Sequence, residues 1–250
     1  MPEAARDPAP RLARVLVLFD IDGTLVRPNG AGRRALLAAG SALFGDAFSV
    51  DGLDPSGKLD PAIFEELAAR HAHLDLRARA SEFAALYLAA LRREAHRMRP
   101  LPGAAAVLAR LAAEPGVALG ILTGNVSEVA AMKLAVTGLV RPGGPDPFAV
   151  RACGEEAATR PELVALARSR YLDGRGAAAG GRTAAPALLL VGDSPRDVDA
   201  GHAHGIPVLA VATGRWSAEA LREAGADRVA ADLRDPEPLL ALARAAGKPT

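Results

Sequence analysis

An apolar run that ends in two acids constrains the fold of this chain more than any other feature of its sequence. The run Val15–Leu18 consists of valine and leucine and predicts a buried strand of a parallel sheet. It leads into the heptapeptide FDIDGTL, where Asp20 and Asp22 stand at the point at which the strand must turn. A simple turn explains Gly23 and one acid. The second acid stays unexplained, because neighbouring carboxylates at the end of a buried strand repel each other. The pattern indicates a ligand site.

Strand-like runs alternate with helical patterns along most of the chain. This alternation predicts an α/β fold with a Rossmann-like parallel sheet and helices on both faces. The strands are predicted at Val15–Phe19, Val117–Leu122, Ala187–Val191, Ile206–Val211 and, more weakly, Asp227–Ala230. The helices are predicted near residues 103–113, 127–137, 161–171, 195–204, 216–224 and 236–246. Residues 1–12 are predicted to be a loose tail, and residues 174–185, rich in glycine and alanine, a mobile surface loop.

One stretch breaks the alternation. Between residues 28 and 101 the sequence shows no convincing strand, only helical periodicity over Ala31–Phe44, Pro61–His71 and Ala80–Met98. We therefore predict an all-helical cap domain at 28–102, inserted after the first strand of a core formed by 1–27 and 103–250. Lys58 stands in a turn-like break of this cap and is a candidate for substrate contact; a solvated loop lysine is an equally good interpretation.

A second polar cluster, Thr123-Gly124-Asn125, follows the predicted strand that ends at Leu122. A hydroxyl, a glycine and the free N–H groups of a starting helix are suited to binding an anion. A simple helix cap by Thr123 or Asn125 is the alternative.

A third cluster, Gly192 to Asp197, follows another predicted strand. Ser194, Pro195 and Asp197 match a helix capping box, which explains these residues without any metal. The capping box does not explain Asp193. If its strand neighbours the first strand, Asp193 meets the two earlier acids at the edge where ligands bind in open α/β sheets. Such a group of carboxylates favours a hard cation, namely Mg²⁺.

The segments FDIDGTL, ILTGN and VGDSPRD resemble motifs one, two and four of the haloacid dehalogenase superfamily of phosphohydrolases. The resemblance extends from about Arg14 to Leu242, and the phosphoglycolate phosphatase-like branch is the most similar. It implies Mg²⁺-dependent hydrolysis of a small phosphomonoester through an aspartyl-phosphate intermediate. A phosphosugar mutase, a pyrophosphatase and a catalytically idle binding protein are the alternatives on the same core. A dehalogenase is disfavoured, since it needs no acid in the place of Asp22.

The resemblance also implies residue roles. Asp20 corresponds to the nucleophile and Asp22 to the general acid and base. The metal ligands would be Asp193, the Asp20 carboxylate and the Asp22 main-chain carbonyl, with Asp197 orienting groups around the metal. The residues that correspond to the phosphate cradle are Gly23, Thr24, Thr123, Gly124 and Asn125.

The third motif departs from the family pattern. The family usually places a lysine at the start of the helix before the strand of motif four, and here that place holds Arg160. An arginine can hold a phosphate oxygen and a carboxylate together, so Arg160 is the predicted cation; a plain surface residue is the alternative. Lys133 is the rival cation. It is disfavoured because it lies about two helical turns, roughly 12 Å, beyond Asn125.

Composition excludes several other classes of function. The formal net charge is +1, which provides no strong field for nucleic acid or an anionic membrane. A single cysteine, Cys153, excludes an intramolecular disulfide framework. The acidic, proline-containing N-terminus does not resemble a signal peptide, and no apolar run approaches the ~18 residues of a membrane span. We therefore expect a cytoplasmic enzyme that acts on a small phosphorylated metabolite.

Overall fold

The computed structural model describes residues 14–179 and 185–246, apart from the side chains of residues 175–179. Its centre is a six-stranded sheet in which every neighbouring pair of strands is parallel. The sheet strands are β1 (Val15–Phe19), β4 (Val117–Leu122), β5 (Phe148–Ala152), β6 (Ala187–Gly192), β7 (Val208–Val211) and β8 (Arg228–Ala230), and their order is β5-β4-β1-β6-β7-β8. The first strand, β1, thus lies in the middle, between β4 and β6, as the third sequence cluster requires.

Helices cover both faces of this sheet. They are α4 (Ala104–Ala112), α5 (Ser127–Val136), α6 (Arg160–Ala179), α7 (Pro195–His202), α8 (Ala218–Glu223) and α9 (Glu237–Ala246). The side chains of β1 alternate between two cores: Val17 packs in the one that includes α4, α5 and α9, and Leu18 in the one that includes α6 and α7. Because both faces are covered, β1 is apolar at every position and buried throughout. The predicted α/β fold is confirmed.

Three more helices lie between β1 and β4, namely α1 (Ala31–Phe44), α2 (Asp60–Arg70) and α3 (Ala80–Glu94). They share a hydrophobic cluster that includes Leu36, Leu67 and Phe83. This cluster supports a helical cap, whose bounds at 28 and 102 remain a prediction. Two short antiparallel strands, β2 (Val26–Arg27) and β3 (Arg99–Pro100), carry the chain into and out of these helices.

Several elements differ from the sequence-based expectations. Strand β5 was not predicted; its residues are alternately buried and more exposed, as on a sheet edge, and Arg151 interrupts the apolar pattern. Strand β3 lies in the stretch expected to contain helices only. Helix α6 continues to Ala179, so the first part of the expected loop at 174–185 is helical, while residues 180–184 lie outside the described residues. The predicted loose tail, residues 1–12, also lies outside them.

Within residues 14–179 and 185–246, no helix combines the length and the apolar character that crossing a bilayer requires.

Candidate active site

Four polar clusters meet at the carboxyl edge of the sheet. Asp20 follows β1, Thr123 follows β4 and Asp193 follows β6, as the three sequence clusters predicted. A fourth cluster, Thr213-Gly214, follows the next strand along the sheet, β7, and was not predicted. It carries the same signal as the other three, a small polar residue and a glycine directly after an apolar strand, so the sequence pattern could have revealed it.

Asp20 is buried at the end of β1, and its carboxylate accepts a hydrogen bond from Arg160 Nη2 at 2.9 Å. Burial raises the pKa of Asp20 from 3.8 to about 7, since a buried carboxylate loses its hydration. Arg160 opposes this rise in pKa, whereas Asp197 and Asp22 add to it. The carboxylate is therefore dehydrated and placed against a cation, a suitable environment for a nucleophile.

Arg160 is the first residue of α6 and joins two acids. Besides Asp20, it contacts Asp197 Oδ1 through the same Nη2 atom, and all three side chains are buried. The other oxygen of Asp197 accepts the backbone N–H of Ser194 at 3.0 Å and its hydroxyl at 2.6 Å. Asp197 thus caps the start of α7 and also holds Arg160 in place. The capping box and the role beside the metal site, which the sequence offered as separate explanations of Asp197, are therefore compatible.

Asp22, two residues after Asp20, has different partners. Its Oδ2 atom accepts a hydrogen bond from Asn125 Nδ2 at 2.7 Å and one from Lys133 Nζ at 2.5 Å. Its Oδ1 atom is buried and has no hydrogen-bond partner among the described residues. One carboxylate oxygen is therefore fixed and the other is free to exchange a proton with a ligand.

The expectation that Lys133 lies away from the site was wrong. Lys133 is buried and donates to Asn125 Oδ1 at 2.7 Å in addition to Asp22. The prediction considered only the rise along α5. Side chains on a helix point back toward its N-terminus, and an extended lysine spans the remaining distance to the strand ends. Two cations of the described chain therefore contact the acids that follow β1: Arg160 pairs with Asp20 and Lys133 pairs with Asp22.

Asp193 is enclosed by glycines. A Cβ atom on Gly23, which has a φ of +83°, would lie 2.3 Å from Asp193 Oδ2, and one on Gly214 would lie 1.6 Å from it. Only glycine leaves room for the carboxylate at either position. Thr213, next to Gly214 in the chain, connects the two glycine segments, because its hydroxyl donates a hydrogen bond to the carbonyl oxygen of Gly23. Burial raises the pKa of Asp193 well above its usual value, and the nearby carboxylates of Asp197 and Asp20 raise it further.

These acids fit a divalent cation. Asp20, Asp193 and Asp197 each offer an oxygen, and these atoms lie within 4.8 Å of one another. Both oxygens of Asp197 are already bonded to protein groups, so Asp20 and Asp193 are the better candidates for direct ligands. Among the described residues, Arg160 and Lys133 are the cations in contact with these acids, which number four with Asp22. Burial and the neighbouring carboxylates raise the pKa values of Asp20 and Asp193, so a bound cation would be stabilised here. A donor set made of oxygen alone suits Mg²⁺.

The predicted phosphate cradle is only partly free to bind an anion. The N–H of Thr123 belongs to the sheet and bonds the Ala152 carbonyl oxygen at 3.0 Å. Its Oγ1 atom accepts the backbone N–H of Asn125 at 3.3 Å and the side-chain amide at 2.9 Å, which leaves the Thr123 hydroxyl proton free. Gly23 uses its N–H for a turn to Val26, and the Thr24 hydroxyl is buried without a partner in the described structure.

A segment before α2 closes over this edge of the sheet. The Lys58 carbonyl oxygen would lie 2.0 Å from a Cβ on Gly124, and the Asp60 N–H donates to the Gly124 carbonyl oxygen at 2.7 Å. The Asp60 carboxylate accepts the N–H of Val126 at 3.0 Å and so caps the start of α5. Burial raises the pKa of Asp60 to about 6, against the influence of Lys133. Asp60 was not among the predicted site residues, because a cap on a helix so distant in sequence leaves no local pattern.

A cavity of about 990 Å³ lies between the three cap helices and the strand ends. Asp20, Asp22, Asp193 and Arg160 line its core side. Lys58 lines its cap side, where its ammonium pairs with Glu66. Its predicted contact with substrate remains a prediction.

The fold and this group of acids define an enzyme core with a Rossmann-like parallel sheet and a site at the switch point of that sheet. Residues 17–202, more than half of the chain, match the family model described as haloacid dehalogenase-like hydrolase. The chain belongs to this family. A comparison with curated proteins gives no match.

Solved structures show the same fold. A hydrolase from Pseudomonas syringae is 20% identical with a TM-score of 0.68, over 91% of this chain and 98% of that one. A "predicted phosphatase" from Clostridium acetobutylicum is 16% identical with a TM-score of 0.65, over 92% and 99%. CbbY from Rhodobacter sphaeroides, solved in complex with phosphate, is 21% identical with a TM-score of 0.60, over 90% and 96%. The narrower placement in the phosphoglycolate phosphatase-like branch remains a prediction.

Proposed function

We propose that this protein is a Mg²⁺-dependent phosphatase that hydrolyses a small phosphomonoester through an aspartyl-phosphate intermediate on Asp20. The observation that carries the proposal is the separation of the two acids after β1. Asp20 is paired with Arg160, whereas Asp22 is held by Asn125 and Lys133. Two carboxylates in different environments can perform different tasks, one as nucleophile and one as acid and base.

In the first step, an Asp20 oxygen attacks phosphorus, and the bond between phosphorus and the ester oxygen breaks. Protonated Asp22 gives its proton to the departing alkoxide, so the alcohol leaves neutral. The Arg160 guanidinium and the Thr123 hydroxyl are placed to bind oxygens of the transferring group, whose negative charge needs neutralisation more than it needs covalent chemistry.

In the second step, the Asp22 carboxylate accepts a proton from water, and the water oxygen attacks the phosphorus of aspartyl-phosphate. The bond between Asp20 and phosphorus breaks, which restores the Asp20 carboxylate and releases inorganic phosphate. Lys133 keeps Asp22 in the same place in both steps.

The ligands proposed for Mg²⁺ are the Asp20 and Asp193 carboxylates and the Asp22 main-chain carbonyl. When bound, the ion would neutralise charge on the nucleophile and the phosphoryl oxygens. Its binding also offsets the excess of buried carboxylates described above.

The alternatives receive less support. An idle binding protein would not need its acids gathered at one edge with separate partners. A phosphosugar mutase needs an acid–base group on the cap, for which Lys58 or a cap histidine is the candidate. Lys58 is already paired with Glu66, and no histidine lines the cavity among the described residues. The complex of CbbY with phosphate is in keeping with phosphate chemistry on this fold.

The test measures phosphate release from a panel of phosphomonoesters, with Mg²⁺ and with EDTA. Asp20→Asn should abolish turnover, whereas Asp199→Asn, a control on the exposed side of α7, should not change it. Asp22→Asn should lower turnover by ~100-fold or more. With a good leaving group, the mass spectrum of this variant should show the mass of one added phosphoryl group. Turnover by Asp20→Asn at the wild-type rate would refute the proposal.

A further inference from the structure

The cavity above the acids is much larger than a phosphoryl group requires. It measures about 990 Å³, close to the upper end of the range for pockets that enclose drug-sized ligands. A phosphoryl group with a two-carbon alcohol has about seven non-hydrogen atoms, which at about 30 Å³ for each water-sized group occupy at most roughly 200 Å³. Most of the cavity is therefore available to the alcohol part of the substrate.

The cap side of this cavity is apolar. Helix α1 contributes Leu36, α2 contributes Ile63 and Phe64, and α3 contributes Phe83 and Leu88. Leu36, Ile63 and Phe83 belong to the hydrophobic cluster of the cap, and Phe64 packs against it. Leu36, Ile63 and Phe83 are buried, whereas Phe64 and Leu88 are only half-buried and present the accessible apolar surface. This surface gains free energy when a ligand displaces water from it.

The charged side chains on the cap side are already engaged with protein groups. Arg33 donates to the Val50 carbonyl oxygen at 2.6 Å and to Asp51 at 2.9 Å. Lys58 pairs with Glu66, and Glu65 pairs with Arg77 at 2.9 Å. Asp60 caps α5. To bind the hydroxyl groups of a sugar, each of these groups would have to share or give up an existing contact.

One cation differs from these. Arg27, on β2, lines the cavity and is exposed, and no ion pair is found for it within residues 14–179 and 185–246. A small phosphomonoester with a carboxylate, such as phosphoglycolate, is therefore the competing ligand. Phosphoglycolate would bind Arg27 at the entry to the cap, but it would not fill the space beside the apolar side chains of α1, α2 and α3.

We infer that the substrate is the phosphomonoester of an apolar alcohol, whose hydrocarbon part occupies the space between α1, α2 and α3 while its phosphoryl group meets Asp20. The inference rests on the proposed phosphatase function and adds the chemical class of the alcohol. Alkyl and aryl alcohols share the required chemistry, and the test includes both.

The test uses the full-length protein with Mg²⁺ and measures kcat/KM for ethyl, butyl, hexyl and octyl phosphate. Burial of each methylene should raise kcat/KM by about fourfold until the hydrocarbon part fills the cavity. Phenyl and naphthyl phosphate form the aryl arm. Phosphoglycolate and glucose 6-phosphate form the polar arm, and phosphoglycolate has the same number of carbon atoms as ethyl phosphate.

A substitution that fills the cavity tests the location of the alcohol. Ala84 lies on α3, lines the cavity and is exposed, so Ala84→Trp adds volume there without disturbing the cap core. It should lower the ratio of kcat/KM for octyl to ethyl phosphate by about tenfold, the equivalent of nearly two methylenes. Ala38→Trp is the matched control, since Ala38 is exposed on α1 and is not among the lining residues.

The outcomes separate the two proposals. If no phosphomonoester is hydrolysed, the phosphatase proposal fails. If phosphate is released but kcat/KM does not rise with chain length, or if phosphoglycolate or the sugar phosphate is preferred, the phosphatase proposal stands and the apolar alcohol is refuted. Equal effects of Ala84→Trp and Ala38→Trp would also refute it.

Discussion

At the scale of single residues, the length of a side chain and the direction in which it points decide which residues enter the site, as much as their spacing in the sequence does. The acids could be predicted, because each follows a strand and the strands are parallel. Lys133 could not be found by counting helical rise, since its ammonium lies far from its own Cα. Arg160 stands where the family usually has a lysine and contacts two carboxylates through one nitrogen atom, Nη2.

Lys133→Met should show that this lysine positions Asp22. The variant leaves Asp22 with Asn125 as its donor, so proton transfer to the leaving group should suffer. We expect kcat to fall by about tenfold or more for an alkyl phosphate, whose alkoxide needs protonation, and by less for 4-nitrophenyl phosphate. In the Asp22→Asn background the same substitution should add little. Equal losses for both substrates would contradict the positioning role.

Arg160→Ala should weaken the fold as well as the chemistry. It leaves the carboxylates of Asp20 and Asp197 buried without their shared cation, and breaking a buried ion pair from one side costs about 3–5 kcal/mol. Chemical denaturation measures this free energy of unfolding, and Arg160→Lys should recover part of it. A loss of less than about 1 kcal/mol in Arg160→Ala would show that Arg160 does not neutralise these acids.

Gly214→Ala tests the enclosure of Asp193. The new methyl group would overlap the carboxylate, so Asp193 must move and the affinity for Mg²⁺ should fall by about tenfold or more. Titration calorimetry measures this affinity without any substrate. The matched control is Gly174→Ala on α6, where no atom lies within 4 Å of the added Cβ. If both variants bind Mg²⁺ like the wild type, Asp193 is not a ligand.

At the scale of elements, strands that are buried on both faces gave a clear sequence pattern, whereas of the two edge strands β8 was predicted weakly and β5 not at all. β1 and β6 are unbroken apolar runs. β5 lies at the edge of the sheet, where alternate residues meet solvent, so its five residues look like a loop in the sequence. The helices were predicted from the period of their apolar residues. The contact between the start of α5, at Val126, and Asp60 on α2 could not be predicted, because no sequence pattern marks it.

Asp60→Ala should loosen the attachment of α2 to α5. The variant removes the acceptor for the Val126 N–H, and the loss of a helix cap costs about 0.5–2 kcal/mol. Asp60→Asn keeps an oxygen acceptor and should cost less. Asp54→Ala is the control from the same segment, since the partly exposed pair of Asp54 with Arg215 contributes little to stability. Thermal and chemical unfolding measure all three, and the prediction fails if Asp54→Ala is the most destabilising.

At the scale of the whole molecule, the buried acids link stability to pH. The pKa of Asp20 is about 7 in the fold against an ordinary 3.8, and that of Asp60 is about 6. Above pH 3.8 the unfolded chain loses the protons of both carboxyl groups, whereas the folded protein keeps that of Asp60 up to about pH 6 and that of Asp20 up to about pH 7. The free energy of unfolding of the metal-free protein should therefore fall as the pH rises from about 4 to 7.

Denaturant unfolding in EDTA across this pH range measures the effect. Asp20→Asn, which removes one of the groups with a raised pKa, should show a shallower decline. The Mg²⁺ that we propose as ligand of the folded protein should restore stability above pH 7. A wild type whose stability rises with pH from 4 to 7 in EDTA would contradict the raised pKa values.

The position of β2 has a mechanical consequence. Asp22 forms an isolated bridge with Val26, and the turn between them is closed by the Gly23 N–H and the Val26 carbonyl oxygen at 2.9 Å. Strand β2, through which the chain enters the cap helices, is thus joined to Asp22, the proposed proton donor. A movement of the cap that displaced β2 would therefore be transmitted to Asp22, and its contact with Lys133 would depend on where the cap lies.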